Sequence, residues 1–205
     1  MNIVVGVFDL FTYTIAGGFY LALAGYIADR IGLVDLAAVS NANGVLIVIG
    51  VVVLSYLLGL VSYPLGALEN RLIPRRRRRD ARAEFLRRNP SARDRDFVRA
   101  DSFLLLCAIQ LHDMDAANEV NRLRATGLMS RNAGPSLALA AVTALVEVFT
   151  SGHPLLAAIC VVMFAGGSLL LTMEGRRISH MASIKTLELS FWLPDIDAKL
   201  RSAKP

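Results

Sequence analysis

The sequence is poor in cysteine and in aromatic residues, and both shortages exclude functions. Its 205 residues contain two cysteines, and 7% are aromatic. Cys107 lies in a predicted cytoplasmic segment and Cys160 inside a long apolar run, so both are predicted to be free thiols rather than a disulfide. Five consecutive arginines occupy residues 75–79, and no aromatic residue lies among them. Surfaces that stack single-stranded nucleic acid alternate basic and aromatic residues. We therefore do not expect nucleic acid as a partner.

The sequence also lacks the motifs of the common enzyme classes. It has no GxSxG nucleophile turn, no Walker phosphate loop, no GxGxxG dinucleotide motif, no paired CxxC and no Asp-rich lipid-transferase motif. These absences favour a non-enzymatic protein with no cofactor and no catalytic residue. A lipid-modifying membrane enzyme is the least favoured of the alternatives.

Long apolar runs are what the sequence has in abundance. Hydrophobic residues make up 55% of the chain, and they concentrate in residues 3–27, 44–68, about 133–150 and 155–173. Each run is close to the roughly 20 residues that a membrane-spanning helix needs. In lipid only a helix or a closed barrel satisfies its own backbone hydrogen bonds. The sequence therefore predicts an all-α integral membrane protein with four transmembrane helices in two antiparallel hairpins.

The distribution of arginine predicts the orientation of these helices. Twelve arginines lie between Arg71 and Arg99, whereas Arg30 is the only basic residue between the first two spans. Short loops rich in Lys and Arg stay on the cytoplasmic side of a membrane. We therefore expect a multi-pass protein of the plasma (inner) membrane with both termini in the cytoplasm.

The same pattern divides the chain into four parts. Residues 1–68 are the first transmembrane hairpin, 69–134 a basic cytoplasmic helical insert, 135–173 the second hairpin, and 174–205 a cytoplasmic helical extension and tail. Apolar periodicity predicts one insert helix over residues 96–126, with Asp101 or Ser102 at its start and Gly127 at its end. Pro64 is expected to kink the second span. The fourth span is expected to continue as one helix until Pro194.

The five consecutive arginines directly follow the second span. They are Arg75, Arg76, Arg77, Arg78 and Arg79. Their first expected role is to hold the orientation of the spans. Their second is to contact anionic lipid headgroups, where each basic residue contributes about 1 kcal/mol.

Two acidic residues, Asp9 and Glu147, fall inside predicted spans. Such acids usually face a bundle interior or a water-filled cavity. Four hydroxyl residues of the second span are predicted at matching depths, namely Ser62 and Tyr63 for Asp9, and Ser55 and Tyr56 for Glu147. Two interpretations stay open. The acids are either structural groups satisfied by these partners or the polar lining of an ion or proton path.

Glycines in three spans predict close helix packing. They are Gly17, Gly18, Gly59, Gly66, Gly166 and Gly167. Part of this packing is expected between protomers, which makes the protein a predicted homo-oligomer.

A polar cluster on the insert helix contains His112, Asp115 and Glu119. Their spacing could place them on one helix face, but it is not that of a known metal-ligand motif. A solvated helix face with a contact from Glu119 to Arg122 is the favoured interpretation.

These observations lead to one functional expectation and one main alternative. We expect an oligomeric membrane protein whose cytoplasmic helices receive a protein partner or signal, and whose spans perturb or conduct across the bilayer. The alternative is a passive membrane anchor or assembly subunit for a soluble partner. The four-span layout resembles that of small bacterial membrane proteins, including membrane-acting effectors of defence operons. The excess of arginine over lysine also favours a bacterial source.

Overall fold

The structure is a computed structural model that describes residues 3–34, 43–74, 80–194 and 196–202, without the side chains of residues 3–9, 199 and 201–202. The described part is helical and contains no strand. Its α-helices are α1 (Ile3–Arg30), α2 (Gly44–Val61), α3 (Tyr63–Leu72), α4 (Ala81–Arg88), α5 (Ser102–His112), α6 (Met114–Thr150), α7 (Pro154–Phe191) and α8 (Ile196–Ser202). Two short 3-10 helices, Pro90–Ala92 and Asp96–Arg99, lie between α4 and α5.

Four of these helices are long and apolar enough to cross a membrane. They are α1 over Leu10–Arg30, α2, α6 and α7. Large apolar side chains on them are exposed rather than buried, which suits helices whose surrounding solvent is lipid. The prediction of an all-helical protein with four apolar helices is confirmed, and the chain has the character of a multi-pass membrane protein.

The second apolar run forms two helices, not one straight span. α2 ends at Val61, and α3 begins at Tyr63 with Pro64 in its first turn. Proline has no N–H and is tolerated there because the first N–H groups of a helix have no intrahelical acceptor. The predicted kink at Pro64 is therefore a break between two helices.

The predicted insert helix over residues 96–126 is not a single helix, and its predicted end at Gly127 is wrong. It is interrupted at Asp113, whose carboxylate accepts hydrogen bonds from the backbone N–H groups of Asp115 (2.9 Å) and Ala116 (3.0 Å) at the start of α6. α6 then continues through Gly127 to Thr150. Glycine ends a helix only where the chain leaves the helical conformation, and here it does not.

Other predicted helix boundaries agree with the structure. α7 runs as one helix from Pro154 to Phe191, which confirms that the last span continues well beyond its apolar part. The Asp101 carboxylate accepts a hydrogen bond from the N–H of Phe103 (2.7 Å) and so caps the start of α5.

The chain forms two compact units, and α6 and α7 contribute to both. The span unit comprises Met1–Pro74 and Leu128–Gly175. The second unit comprises Arg75–Gly127 and Arg176–Pro205.

The span unit buries small and polar residues. Among its described residues, the buried apolar side chains are those of alanines and Pro135, whereas the buried polar residues are Thr12, Ser55, Ser62, Ser130, Asn132, Ser136, Ser168 and Thr172. Small side chains let helix backbones approach closely, which is the usual way that helices pack in lipid.

The second unit has a conventional apolar core. Phe85, Phe97, Leu105, Leu187 and Ile196 are buried together. A neighbouring cluster of Leu106, Ile109, Ala117 and Val120 packs α5 against α6. Burial of large apolar side chains is the dominant stabilising contribution in water.

Candidate functional site

Glu147 has a charged partner that the sequence interpretation missed. Its carboxylate accepts hydrogen bonds from Arg30 Nε at 2.9 Å and from Arg30 Nη2 at 3.4 Å. The predicted pairing of Glu147 with Ser55 and Tyr56 is therefore wrong. The reason is that α1 extends to Arg30 and brings this guanidinium beside the carboxylate.

Ser55 and Tyr56 instead lie where α1 and α2 pack together. A side chain at Gly17 would collide with the Ser55 carbonyl, and one at Gly59 with the carbonyl of Tyr13. The rings of Tyr13 and Tyr56 meet edge to face at 6.1 Å between centroids. Both glycines are therefore needed for the backbone contact of α1 with α2.

The other predicted packing glycines differ in how close their neighbours are. A side chain at Gly66 would lie 2.7 Å from Asn132 Oδ1, and one at Gly167 would lie 3.1 Å from Leu137. At Gly18 the nearest atom would be 3.8 Å away. Gly166 has no neighbour within 4 Å among the described residues. Gly66 and Gly167 therefore lie at close contacts within the chain, and Gly18 and Gly166 do not.

Ser62 and Tyr63 lie at the junction of α2 and α3. The Ser62 hydroxyl donates to the Gly59 carbonyl at 2.8 Å. The guanidinium of Arg131 stacks over the Tyr63 ring at 5.3 Å. The prediction that they lie at the depth of Asp9 stays a prediction, because the Asp9 side chain is outside the described residues.

The span unit contains an acid that sequence analysis assigned to the cytoplasmic insert. Glu69 lies on α3, and its Oε1 accepts a hydrogen bond of 2.6 Å from the Ser168 hydroxyl on α7. Its Oε2 is buried and has no hydrogen-bond partner among the described residues. A buried carboxylate with an unsatisfied oxygen is destabilising unless something binds it, so the group is a candidate for function.

Gly134 on α6 makes room for this carboxylate. A Cβ atom there would lie 2.7 Å from Glu69 Oε2 and 2.8 Å from Thr172 Oγ1. Thr172 is 1% exposed, and within the described chain its hydroxyl has no partner. The two oxygens that lack a partner among the described residues, Glu69 Oε2 on α3 and Thr172 Oγ1 on α7, therefore both lie close to Gly134 on α6.

A second group of polar atoms lies beside Gly66. Asn132 is 0% exposed, and neither polar atom of its amide has a partner in the described residues. A Cβ atom at Gly66 would lie 2.7 Å from Asn132 Oδ1 and 2.9 Å from the carbonyl oxygen of Arg131. We name Glu69, Thr172, Asn132 and the Arg131 carbonyl the buried oxygen cluster.

Two further sequence predictions concern the arginine run, residues 75–79, and the polar cluster of the insert. Residues 75–79 lie outside the described residues, so their role remains a prediction. The break at Asp113 puts His112 on α5 and Asp115 on α6, so the idea that they share one helix face is wrong. In the described part of the chain, no group of three or more His, Cys, Asp or Glu side chains could hold a metal ion.

The second unit carries a network of paired charges. Glu84 contacts His180 Nε2 at 2.8 Å and Arg88 at 2.5 Å, and Arg88 also lies 3.6 Å from Glu188. The hydrogen bond with His180, followed by that from Arg88, lowers the pKa of Glu84. These residues border a groove of about 480 Å³, whose lining also includes the apolar side chains of Leu123, Met181 and Ile184.

The chain was compared with protein families, curated proteins and solved structures. No protein-family model, no curated protein and no solved structure matches the chain.

Proposed function

We propose that this chain is a non-enzymatic, multi-pass inner-membrane protein whose span unit lets protons or small cations cross the bilayer. The observation that carries the proposal is the buried Glu69 carboxylate with its unsatisfied oxygen. Acids inside a membrane bundle are rare and commonly mark ion paths or proton relays. Glu147 is the weaker candidate because its charge is compensated by Arg30.

In the proposed topology, α1 and α2 form one hairpin and the apolar parts of α6 and α7 form the other. Close approach of Gly17 to Ser55 supports the first hairpin, and the neighbouring pair Gly167 and Leu137 supports the second. The concentration of arginine in the second unit supports a cytoplasmic location for it and for both termini.

The second unit is proposed to receive a protein partner or signal. Its own apolar core supports the idea that it is a folded receiving module. Since α6 and α7 are each continuous and contribute to both units, a change in these helices would reach the residues that they supply to the buried oxygen cluster. We also propose a homo-oligomer, supported by Gly166, which is open to helix contact from a second copy.

Reconstitution into liposomes tests the proposal. With an imposed proton or sodium gradient, the wild-type protein should give a flux that Glu69→Gln reduces at least about tenfold, because a neutral amide cannot compensate a cation. Glu119→Gln is the control, since it removes the same charge from the surface of the second unit. No flux from the wild-type protein would contradict the proposal. Loss of flux in Glu147→Gln but not in Glu69→Gln would place the path at the other acid.

The alternative is a passive membrane anchor for a soluble partner. A folded second unit with an apolar core supports a passive anchor as well as a receiving module. An anchor would hold its partner tightly, give no flux and be indifferent to Glu69→Gln.

A further inference from the structure

We infer that the buried oxygen cluster is a binding site for a monovalent alkali cation, with sodium as the probe of choice. This inference names the ion and rests on the proposed function for its biological meaning. Binding itself can be measured without transport.

The geometry at Gly134 is the first support. Glu69 Oε2 and Thr172 Oγ1 lie 2.7 Å and 2.8 Å from the position of a Cβ on this glycine, and Glu69 Oε1 lies 3.3 Å from it. Three oxygens therefore crowd one point of the α6 backbone. Two of the three have no hydrogen-bond partner within the described residues. Hard cations prefer such oxygen ligands.

The neighbouring oxygens extend the site along α3. Asn132 Oδ1 and the Arg131 carbonyl face Gly66, which precedes Glu69 by one helical turn and shares its face. Pro135 lies inside α6 and has no N–H, so the Arg131 carbonyl cannot accept its usual bond from the residue four positions on. Helix carbonyls without their usual backbone donor are typical of ion sites within membranes.

The depth of the cluster fits an ion path. Ser168, the partner of Glu69, lies 14 residues after the start of α7 at Pro154, which is about 21 Å at the rise of an α-helix. The hydrocarbon core is about 30 Å thick. The cluster therefore lies within lipid depth, where water is scarce and unsatisfied oxygens are unfavourable.

The charge of the cluster selects a monovalent ion. Glu69 is its one carboxylate, and one negative charge compensates one monovalent cation. Arg131 does not neutralise the acid, because its guanidinium stacks on Tyr63 and no ion pair within the described chain joins it to Glu69. A proton on Glu69 would satisfy a single oxygen and leave those of Thr172 and Asn132 unmatched.

Thermal unfolding of the purified protein in detergent tests for binding. NaCl is compared with choline chloride at equal ionic strength, with KCl and LiCl as further arms. With sodium at a hundredfold excess over Kd, mass action predicts a rise in the unfolding midpoint of about 5–10 °C for a chain of this size. Glu69→Gln should abolish the rise, and Thr172→Val should weaken apparent sodium affinity at least about tenfold.

Thr143→Val is the matched control for Thr172→Val. Thr143 lies on α6, and its hydroxyl bonds to the Leu139 carbonyl within its own helix, so the sodium effect should be unchanged. Equal midpoints in sodium and choline would show that the cluster holds water only and would overturn the inference. A sodium effect that survives in Glu69→Gln or Thr172→Val would place the ion elsewhere and overturn it too.

A direct measurement covers the case in which Glu69→Gln does not fold. Equilibrium binding of radioactive sodium to the wild-type protein and to Thr172→Val should show the same tenfold weakening. Absence of saturable binding to the wild-type protein would overturn the inference. Binding without flux in liposomes would leave this site standing and remove the proposed transport function, whereas flux without binding would do the reverse.

Discussion

The two units of this protein differ in the large apolar side chains that they bury or expose. The second unit buries Phe85, Phe97 and Leu105 and exposes most of its charged side chains. The span unit buries serine, threonine and asparagine and exposes leucine, valine and isoleucine. The difference follows from the solvent, because lipid supplies no hydrophobic drive to bury apolar side chains but leaves polar ones without partners. Polar groups inside the span unit are therefore the ones whose purpose needs explaining.

The largest expected effect is in the apolar core of the second unit. Phe85 is 0% exposed and packs edge to face on Phe97 and Phe191. Phe85→Ala should lower the free energy of unfolding by about 3–5 kcal/mol. The single tryptophan, Trp192, contacts Phe191 at 5.5 Å, so its fluorescence reports this unit. Phe103→Ala is the control, because Phe103 is 72% exposed, and it should have little effect. Equal losses would show that the assigned core is wrong.

A matched pair of arginine substitutions compares the two solvents directly. Val53 in the middle of α2 and Leu104 on α5 are both 51% exposed. Val53→Arg should disfavour membrane insertion by about 2.5–3.5 kcal/mol, since it places a charge at the centre of a span. Leu104→Arg should leave insertion and folding intact. The measurement is the inserted fraction in a glycosylation or protease-protection assay, and equal insertion of the two variants would contradict the assignment of α2 as a span.

Alanine substitutions at the adjacent glycines Gly17 and Gly18 of α1 distinguish the effect of a close helix contact from that of helix propensity. A Cβ at Gly17 would collide with the backbone of Ser55, whereas the nearest atom to a Cβ at Gly18 would be 3.8 Å away. Gly17→Ala should lower stability by about 1–3 kcal/mol through overpacking. Gly18→Ala should be neutral or slightly stabilising, because alanine favours the helix. Unfolding in detergent mixtures followed by circular dichroism measures both, and a neutral Gly17→Ala would disprove the close contact of α1 with α2.

The smallest expected effect is a pH dependence confined to the second unit. The pKa of Glu84 is lowered by His180 and Arg88, so ionised Glu84 stabilises the folded state above the ordinary glutamate pKa of about 4.3. This contribution is lost as pH falls through the lowered pKa. Wild type should therefore be more stable than Glu84→Gln at neutral pH, and the two should converge on acidification. A difference in the Trp192-monitored midpoint that is constant over the acid range would contradict the role assigned to Glu84.

The features that sequence analysis predicted depend on local patterns, and those it missed depend on distant contacts. Apolar runs of span length predicted four helices, and the continuous pattern after Glu174 predicted the length of α7. Glycine and proline often end a helix, yet α6 continues through Gly127 and Pro135, because each perturbs one position and the neighbouring turns keep their own hydrogen bonds. Pairing of Arg30 with Glu147 joins residues 117 positions apart, and no local pattern announces it.

Glu69 was missed for a related reason. The predicted second span ends at residue 68 and so leaves Glu69 in the insert, whereas α3 continues to Leu72 and Glu69 belongs to the span unit. The position of α3 depends on the contact of Gly66 with Asn132 and of Glu69 with Ser168. Polar residues such as Asn132 and Ser136, at the start of the third apolar segment, were the sequence signal that could have indicated a buried polar site.

Labelling with a lipid-soluble carbodiimide tests the central claim most directly. This reagent modifies protonated carboxyl groups in apolar surroundings, and peptide mass spectrometry identifies the modified residue. We predict that Glu69 is modified, that sodium slows its modification, and that Glu147 stays unmodified because Arg30 pairs with it. Modification of Glu147 instead of Glu69, or modification of Glu69 no faster than that of the surface residue Glu119, would contradict the account.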